Sequence, residues 1–202
     1  MKKRLLLILL VLLPLANVRA GGFLRPSFGL EWGYTGTFLR TWQHNFICNE
    51  GYRIIESDKT WRYFSNGMIE ACAGVDIGGK VNASIYSGLA GVYFKRWMIP
   101  LEFRVRYCPS GLVNNGFICY AGAGGMFPTS TRTDTNLGFK LGGGYRVSVF
   151  RSISVDFLLS AHCTTDHDSI VDPDTKRNVP TLDITDCGAK YVALCASIAI
   201  NF

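Results

Sequence analysis

Apolar and polar residues alternate with a period of two along most of this chain. Phe28, Leu30, Trp32 and Tyr34 interleave with Gly29, Glu31, Gly33 and Thr35. The same alternation runs through residues 69–77, 99–108, 137–148, 155–162 and 192–202. A period of two puts successive side chains on opposite faces of a β-strand. Two Gly/Ala-rich stretches, near residues 82–94 and 117–127, are also strand-like, but their facing is ambiguous. The pattern predicts about eight strands, each near the ~10 residues that a tilted membrane-barrel strand requires.

The connections differ in length. Residues 77–80 and 150–152 read as tight turns and 109–116 as a short one. Residues 40–63 and 165–190 read as long polar loops, and 126–136 as an intermediate one. Short turns at one end and long loops at the other are the asymmetry of an outer-membrane barrel, although the link at 95–97 is short as well. Tyr34, Phe38, Tyr63, Tyr93, Trp97, Tyr107, Tyr145, Tyr191 and Phe202 lie near strand ends. They fit two interfacial girdles, and aromatics are also favoured in strands of any kind.

The second face of the strands separates a membrane barrel from a soluble sandwich. It carries Glu31, Glu70, Asp76, Glu102, Arg104, Arg106, Lys140, Arg146 and Asp156, interspersed with Gly29, Gly33, Gly74, Gly142 and Gly144. A solvated face has no need of so many glycines, whereas a narrow lumen crowded by long charged side chains does. The expected fold is therefore all-β: a transmembrane up-and-down antiparallel barrel of about eight strands. An eight-stranded barrel is just wide enough for its side chains to fill, so these nine residues are expected to form a lumen charge network.

The first twenty residues are different. Lys2, Lys3 and Arg4 precede an apolar run from Leu5 to Leu13, Pro14 breaks it, and Val18-Arg19-Ala20 places small residues for cleavage. This is the layout of a secretory signal peptide. The expected domains are a cleaved signal at 1–20 and a single barrel at 21–202. The signal also accounts for most of the formal charge of +6: without its four basic residues, 17 bases face 15 acids. The remaining bases are dispersed, so no nucleic-acid partner is expected. The apolar fraction of 48% excludes a disordered chain.

The signal segment, the alternating strands, the run Leu137-Gly-Phe-Lys-Leu-Gly-Gly-Gly-Tyr-Arg146 and the ending Ala-Ile-Asn-Phe202 resemble the small outer-membrane β-barrel proteins of Bacteroidota-type bacteria. That architecture is shared with the eight-stranded domains of the Omp A and Omp X type. The resemblance implies a bacterial outer-membrane location, contact with outer-membrane lipids or lipopolysaccharide, and Phe202 as a signal read by the outer-membrane assembly machinery. It is specific for architecture and says little of function, because this fold hosts adhesins, anchors and lipid enzymes.

Candidate chemistry is sparse. Gly142-Gly143-Gly144 sits within a strand pattern and opens no helix, so no phosphate loop is read there. The seven cysteines show no zinc-type pairs, and an odd number leaves at least one over in any intramolecular pairing. Barrel closure makes the first and last strands neighbours, so Cys48 and Cys187 are the candidate disulfide. Cys163 and Cys195 fall on opposite faces, and Cys72 and Cys108 read as small lumen fillers. His162 is expected in the lumen, His167 in a solvated acidic loop between Asp166 and Asp168, and His44 near a loop base with no partners for a triad. No catalytic, cofactor-binding or metal-binding residues are assigned. The reading is a non-enzymatic outer-membrane barrel with a filled lumen and a structural or surface-interaction role through its loops. Two alternatives stay open: a barrel-embedded enzyme acting on lipid A or peptides, and a soluble periplasmic barrel that holds a small ligand.

Overall fold

The computed structural model describes residues 24–48, 50–94, 96–129, 136–150, 152–167, 170, 172 and 175–202. The expected signal segment and its cleavage site lie outside these residues. Eight antiparallel strands follow in order: β1 (Leu24–Ile47), β2 (Arg53–Ile77), β3 (Val81–Tyr93), β4 (Arg96–Tyr107), β5 (Gly116–Pro128), β6 (Asn136–Phe150), β7 (Ile153–Asp166) and β8 (Ile184–Asn201). Each pairs with the next, and β8 pairs with β1, so the sheet closes into a barrel. Closure leaves the barrel wall without an unpaired edge. The turn between β2 and β3 is tight because Gly78 and Gly79 both take positive φ, 59° and 73°, a region that glycine enters without steric cost.

The strands are unequal. β3 to β7 have 12 to 15 residues, whereas β1, β2 and β8 have 24, 25 and 18. The pairing of β2 with β3 stops at Met68, while β1 stays paired with both β2 and β8 beyond that level. These three strands therefore continue past the ring as a three-stranded extension. The stretch 40–63, expected as a loop, is mostly strand: β1 runs to Ile47 and β2 begins at Arg53. Its polar composition misled because both faces of the extension lie beyond the apolar belt. The stretch 165–190 shortens in the same way, and its return segment packs Ile170 and Val179 onto Phe46 and Cys48 against the extension.

A register shift between Thr37 and Leu39 separates the ring from the extension. Below it the odd-numbered residues Glu31, Thr35 and Thr37 are buried inside; above it the even-numbered Phe46 and Cys48 are. An irregularity that inserts residues exchanges the two faces of a strand.

The two faces of the ring have opposite chemistry. Leu30, Ile69, Ile85, Leu101, Phe103, Phe139, Leu141, Phe157, Leu159 and Leu194 all point outward and are exposed, Leu141 and Leu159 at 69% each. The interior holds the charges. β3 and β5, ambiguous in sequence, turn Asn82, Ser84 and Tyr86, and Ile118, Tyr120 and Met126, inward. Most of the expected girdle aromatics are outward, among them Tyr34, Tyr63, Trp97, Tyr107, Tyr145 and Phe202. Tyr191 is a correction: it is buried, and it stacks on Tyr93 at 5.0 Å over the lumen. Its position on β8 puts it on the same face as Ala193 and Cys195.

Candidate functional site: the filled lumen

The candidate site follows from strand parity. On β4 the inward positions place Met98, Glu102, Arg104, Arg106 and Cys108 in one column, all buried. The register then brings the charges of other strands to this column in two groups.

The first group surrounds Arg104, which is fully buried. Its guanidinium donates to Glu31 Oε2 at 2.6 Å, Glu102 Oε1 at 2.7 Å and Glu70 Oε2 at 3.2 Å. Lys140 reaches the remaining oxygens, Glu70 Oε1 at 2.6 Å and Glu102 Oε2 at 2.9 Å. Ser197 donates to Glu31 Oε1 at 2.7 Å. Every carboxylate in this group thus has both oxygens engaged. The Arg104 guanidinium also lies over the ring of Tyr86 at 3.7 Å and that of Tyr120 at 4.9 Å. A planar, weakly hydrated cation suits such a slot, and a lysine would not fill it.

The second group lies toward the short-turn end. Asp156 accepts from Arg146 Nε at 2.7 Å, Arg146 Nη2 at 2.8 Å, Arg106 Nη1 at 2.9 Å and Asn201 Nδ2 at 2.9 Å. The two Arg146 bonds form a bidentate fork. Arg106 also donates to Asn201 Oδ1 at 2.8 Å and to the Tyr86 hydroxyl, which links the two groups. Asp76 joins through a hydrogen bond from Asn82 at 2.7 Å, with no ion pair of its own among the described residues. Eight of the nine charged residues singled out from the sequence are buried in this interior, and Asp76 is half-buried at its short-turn end.

Apolar side chains pack toward both ends of the lumen. Toward the short turns, Leu112 folds in from the β4–β5 connection onto Cys108, Ile118, Tyr120, Leu158 and Ala199. Its carbonyl accepts from Arg146 Nη1 at 2.7 Å. Toward the extension, Met68, Met98, Met126, Ala90, Val92, Ala189, Tyr191 and Cys195 form a second layer. Between charge network and upper layer, a cavity of about 20 Å³ is bounded by Glu102, Lys140, His162 and Met126, roughly the room for one water. A vestibule of about 220 Å³ opens at the short-turn end, beside Arg25, Asp76, Arg106 and Arg146.

Glycine makes room for this packing. A Cβ at Gly142 would lie 2.5 Å from Cζ of Tyr120 and 2.7 Å from Cβ of Ser160. A Cβ at Gly122 would collide with the Glu102 carboxylate.

The other sequence candidates have defined surroundings. His162 faces the lumen, and its Nε2 is 2.8 Å from Ser160 Oγ. This has the spacing of a nucleophile–base pair, but it sits in the closed interior opposite Lys140. His167 Nδ1 meets Asn136 Oδ1 at 2.9 Å. Asp166 is buried, pairs with Arg96 and accepts from Asn136, so the segment expected as a solvated acidic loop starts as an ordered strand end. Asp168 lies outside the described residues. His44 packs on Trp42 at 4.5 Å. Cys163 pairs across with Val192 on the outer wall, away from the inward Cys195. Cys48 and Cys187 share one apolar cluster, yet no disulfide joins them. The register pairs Cys187 with His44, four residues from Cys48. At the rise of a strand that is about 13 Å of chain, beyond the ~7 Å Cα separation a disulfide spans.

No protein-family model and no curated protein sequence matches this chain. Among solved structures, the chain is similar to Neisserial surface protein A, at 10% identity over 87% of this chain and 97% of that one, TM-score 0.45. It is similar to the outer membrane protein AlkL in lipid bilayers, at 8% identity over 92% and 94%, TM-score 0.48. It is also similar to the outer membrane protein OprG from Pseudomonas aeruginosa, at 10% identity over 90% and 98%, TM-score 0.41.

Proposed function

We propose that this chain is an integral outer-membrane barrel without enzymatic activity, whose filled lumen is a rigid support for the β8-β1-β2 extension and the return segment packed on it. The observation that carries the reading is the reversal of polarity. A continuous apolar belt faces outward from every strand of the ring, and eight buried charged side chains face inward. Water cannot solvate such a belt cheaply, whereas lipid can, and only closed barrels and helices satisfy their backbone polar groups in lipid.

The belt takes outer-membrane lipid as its partner, and the long-strand end faces the cell exterior, as in other barrels with short turns on the periplasmic side. Phe202 lies on the outward row of β8, its backbone paired with that of Phe28 at 2.8 and 3.2 Å. We assign it to recognition by the outer-membrane assembly machinery. The Bacteroidota-type origin rests on the sequence segments that resemble those proteins.

Membrane fractionation combined with gel mobility before and after heating tests this reading. The expected result is an outer-membrane protein whose unheated form migrates as a compact, heat-modifiable species. Recovery in the soluble periplasmic fraction would overturn it in favour of a soluble ligand-holding barrel.

A further inference from the structure

The sequence holds four methionines, and the three beyond Met1 all point into the barrel at one level. Met68 of β2, Met98 of β4 and Met126 of β5 are at most 5% exposed, and they share one buried cluster with Cys195 of β8. Cys195 Sγ lies 3.7 Å from Met68 Sδ. The outer wall uses Leu, Ile, Val and Phe, with no methionine among the described residues. A layer needing only apolar bulk is served as well by those residues, which have better-defined rotamers.

One neighbouring feature suits a cation. Directly beneath, Glu31, Glu70 and Glu102 form ion pairs with Arg104 and Lys140 among the described residues, a formal excess of one negative charge. Glu70 is two residues from Met68 on the same face of β2. Ser197, which donates to Glu31, is two residues from Cys195 on β8.

We propose that Met68, Met98, Met126 and Cys195 form a binding site for a soft monovalent metal ion of the Cu(I) or Ag(I) class. Thioether and thiolate sulfur select such ions, while magnesium, calcium and manganese prefer oxygen. For an ion with the metal–sulfur bond length of a zinc–thiolate site, about 2.3 Å, tetrahedral geometry places two sulfurs about 3.8 Å apart, and Cys195 Sγ and Met68 Sδ stand at 3.7 Å. On binding, the Cys195 thiol releases its proton to solvent and its sulfur bonds the ion. The three thioethers donate lone pairs, and no electron is transferred. The charge of the lumen is therefore unchanged on loading. Trp42 and Tyr93 pack over the layer and shield the ion from water.

The test is titration of the reduced, detergent-folded chain, labelled at its methionine methyl groups, with Ag(I), followed by NMR. The methyl resonances of Met68, Met98 and Met126 are expected to move together and to saturate at one ion per chain. Cys195→Ser and Met68→Leu are each expected to weaken this response at least tenfold while the barrel keeps its heat-modifiable mobility. Silver taken up with all three methyl resonances unmoved would assign it to the other cysteines and overturn the proposal. So would an undiminished response in a folded Cys195→Ser variant. Should either variant not fold, the native chain's own methyl response decides between the two outcomes.

Discussion

Glu31 and Glu70 face each other directly across β1 and β2, two acids in register inside the barrel, and Arg104 from β4 spans both. Like charges opposite one another destabilise a strand pair, so this pairing stands only because a third strand supplies the cation. The lumen network thus connects strands far apart in sequence. Arg104 and Lys140 together tie β1, β2, β4 and β6 through Glu31, Glu70 and Glu102, the last two shared between both cations.

Removing the shared cation leaves three buried carboxylates with one lysine. Arg104→Ala is expected to cost about 3–5 kcal/mol, the range for breaking a buried ion pair from one side. A urea titration of the detergent-folded barrel, read by heat-modifiability, measures it. A loss below about 1 kcal/mol would place Arg104 among exposed ion pairs and contradict the burial described here.

The aromatic slot around Arg104 makes a separate prediction. Tyr120→Leu keeps apolar bulk but removes one of the two rings stacked on the guanidinium. It is expected to cost about 1–2 kcal/mol, the strength of a desolvated cation–π contact. Measured in the Arg104→Met background, most of that cost should vanish. An equal cost in both backgrounds would mean that Tyr120 acts through packing alone.

Gly142 tests the packing of the interior. Gly142→Val has to displace Tyr120 or Ser160, and overpacking of this kind costs about 1–3 kcal/mol. The outward-facing Gly188, which has open space around its Cβ position, is the control. Gly188→Ala should leave the unfolding midpoint within error, and equal destabilisation at both sites would refute the lumen assignment.

How much of this was legible in the sequence depended on the strand. On β4, β6, β7 and β8 bulky apolar residues alternate with charged, small or glycine residues, and facing was readable. Glu102, Arg104 and Arg106 were therefore assigned inward from β4 alone. β3 and β5 defeated the reading because glycine and alanine occupy both faces: Ala121 and Ala123 outward, Gly122 and Gly124 inward. The aromatic slot of Tyr86 and Tyr120 was missed for that reason. It becomes visible only when register pairs Tyr86 with Glu102 and Tyr120 with Arg106. The extension was missed because it lies beyond the apolar belt, where a strand gives no apolar–polar contrast. The shift between Thr37 and Leu39 then exchanged its faces.

The extension yields a prediction of its own. Its inner face is covered by Ile170 and Val179 packing on Phe46 and Cys48, away from the charge network. Replacing residues 44–56 with a short turn is expected to leave the barrel assembled and heat-modifiable. It should also make the segment around residues 170–180 newly sensitive to protease added to intact cells. Loss of the assembled barrel would show that the extension is needed for closure.

The proposed lipid-embedded ring surrounds a lumen filled by its own side chains. Planar-bilayer recording of purified protein, with insertion checked by heat-modifiability of the same vesicles, tests it most directly. The native chain is expected to give no steady conductance, because Arg104, Lys140 and their carboxylates fill the ring between the Leu112 and Met98 layers. Stable, large, ohmic channels from the inserted monomer would contradict the closed lumen and require a wider, solute-conducting barrel.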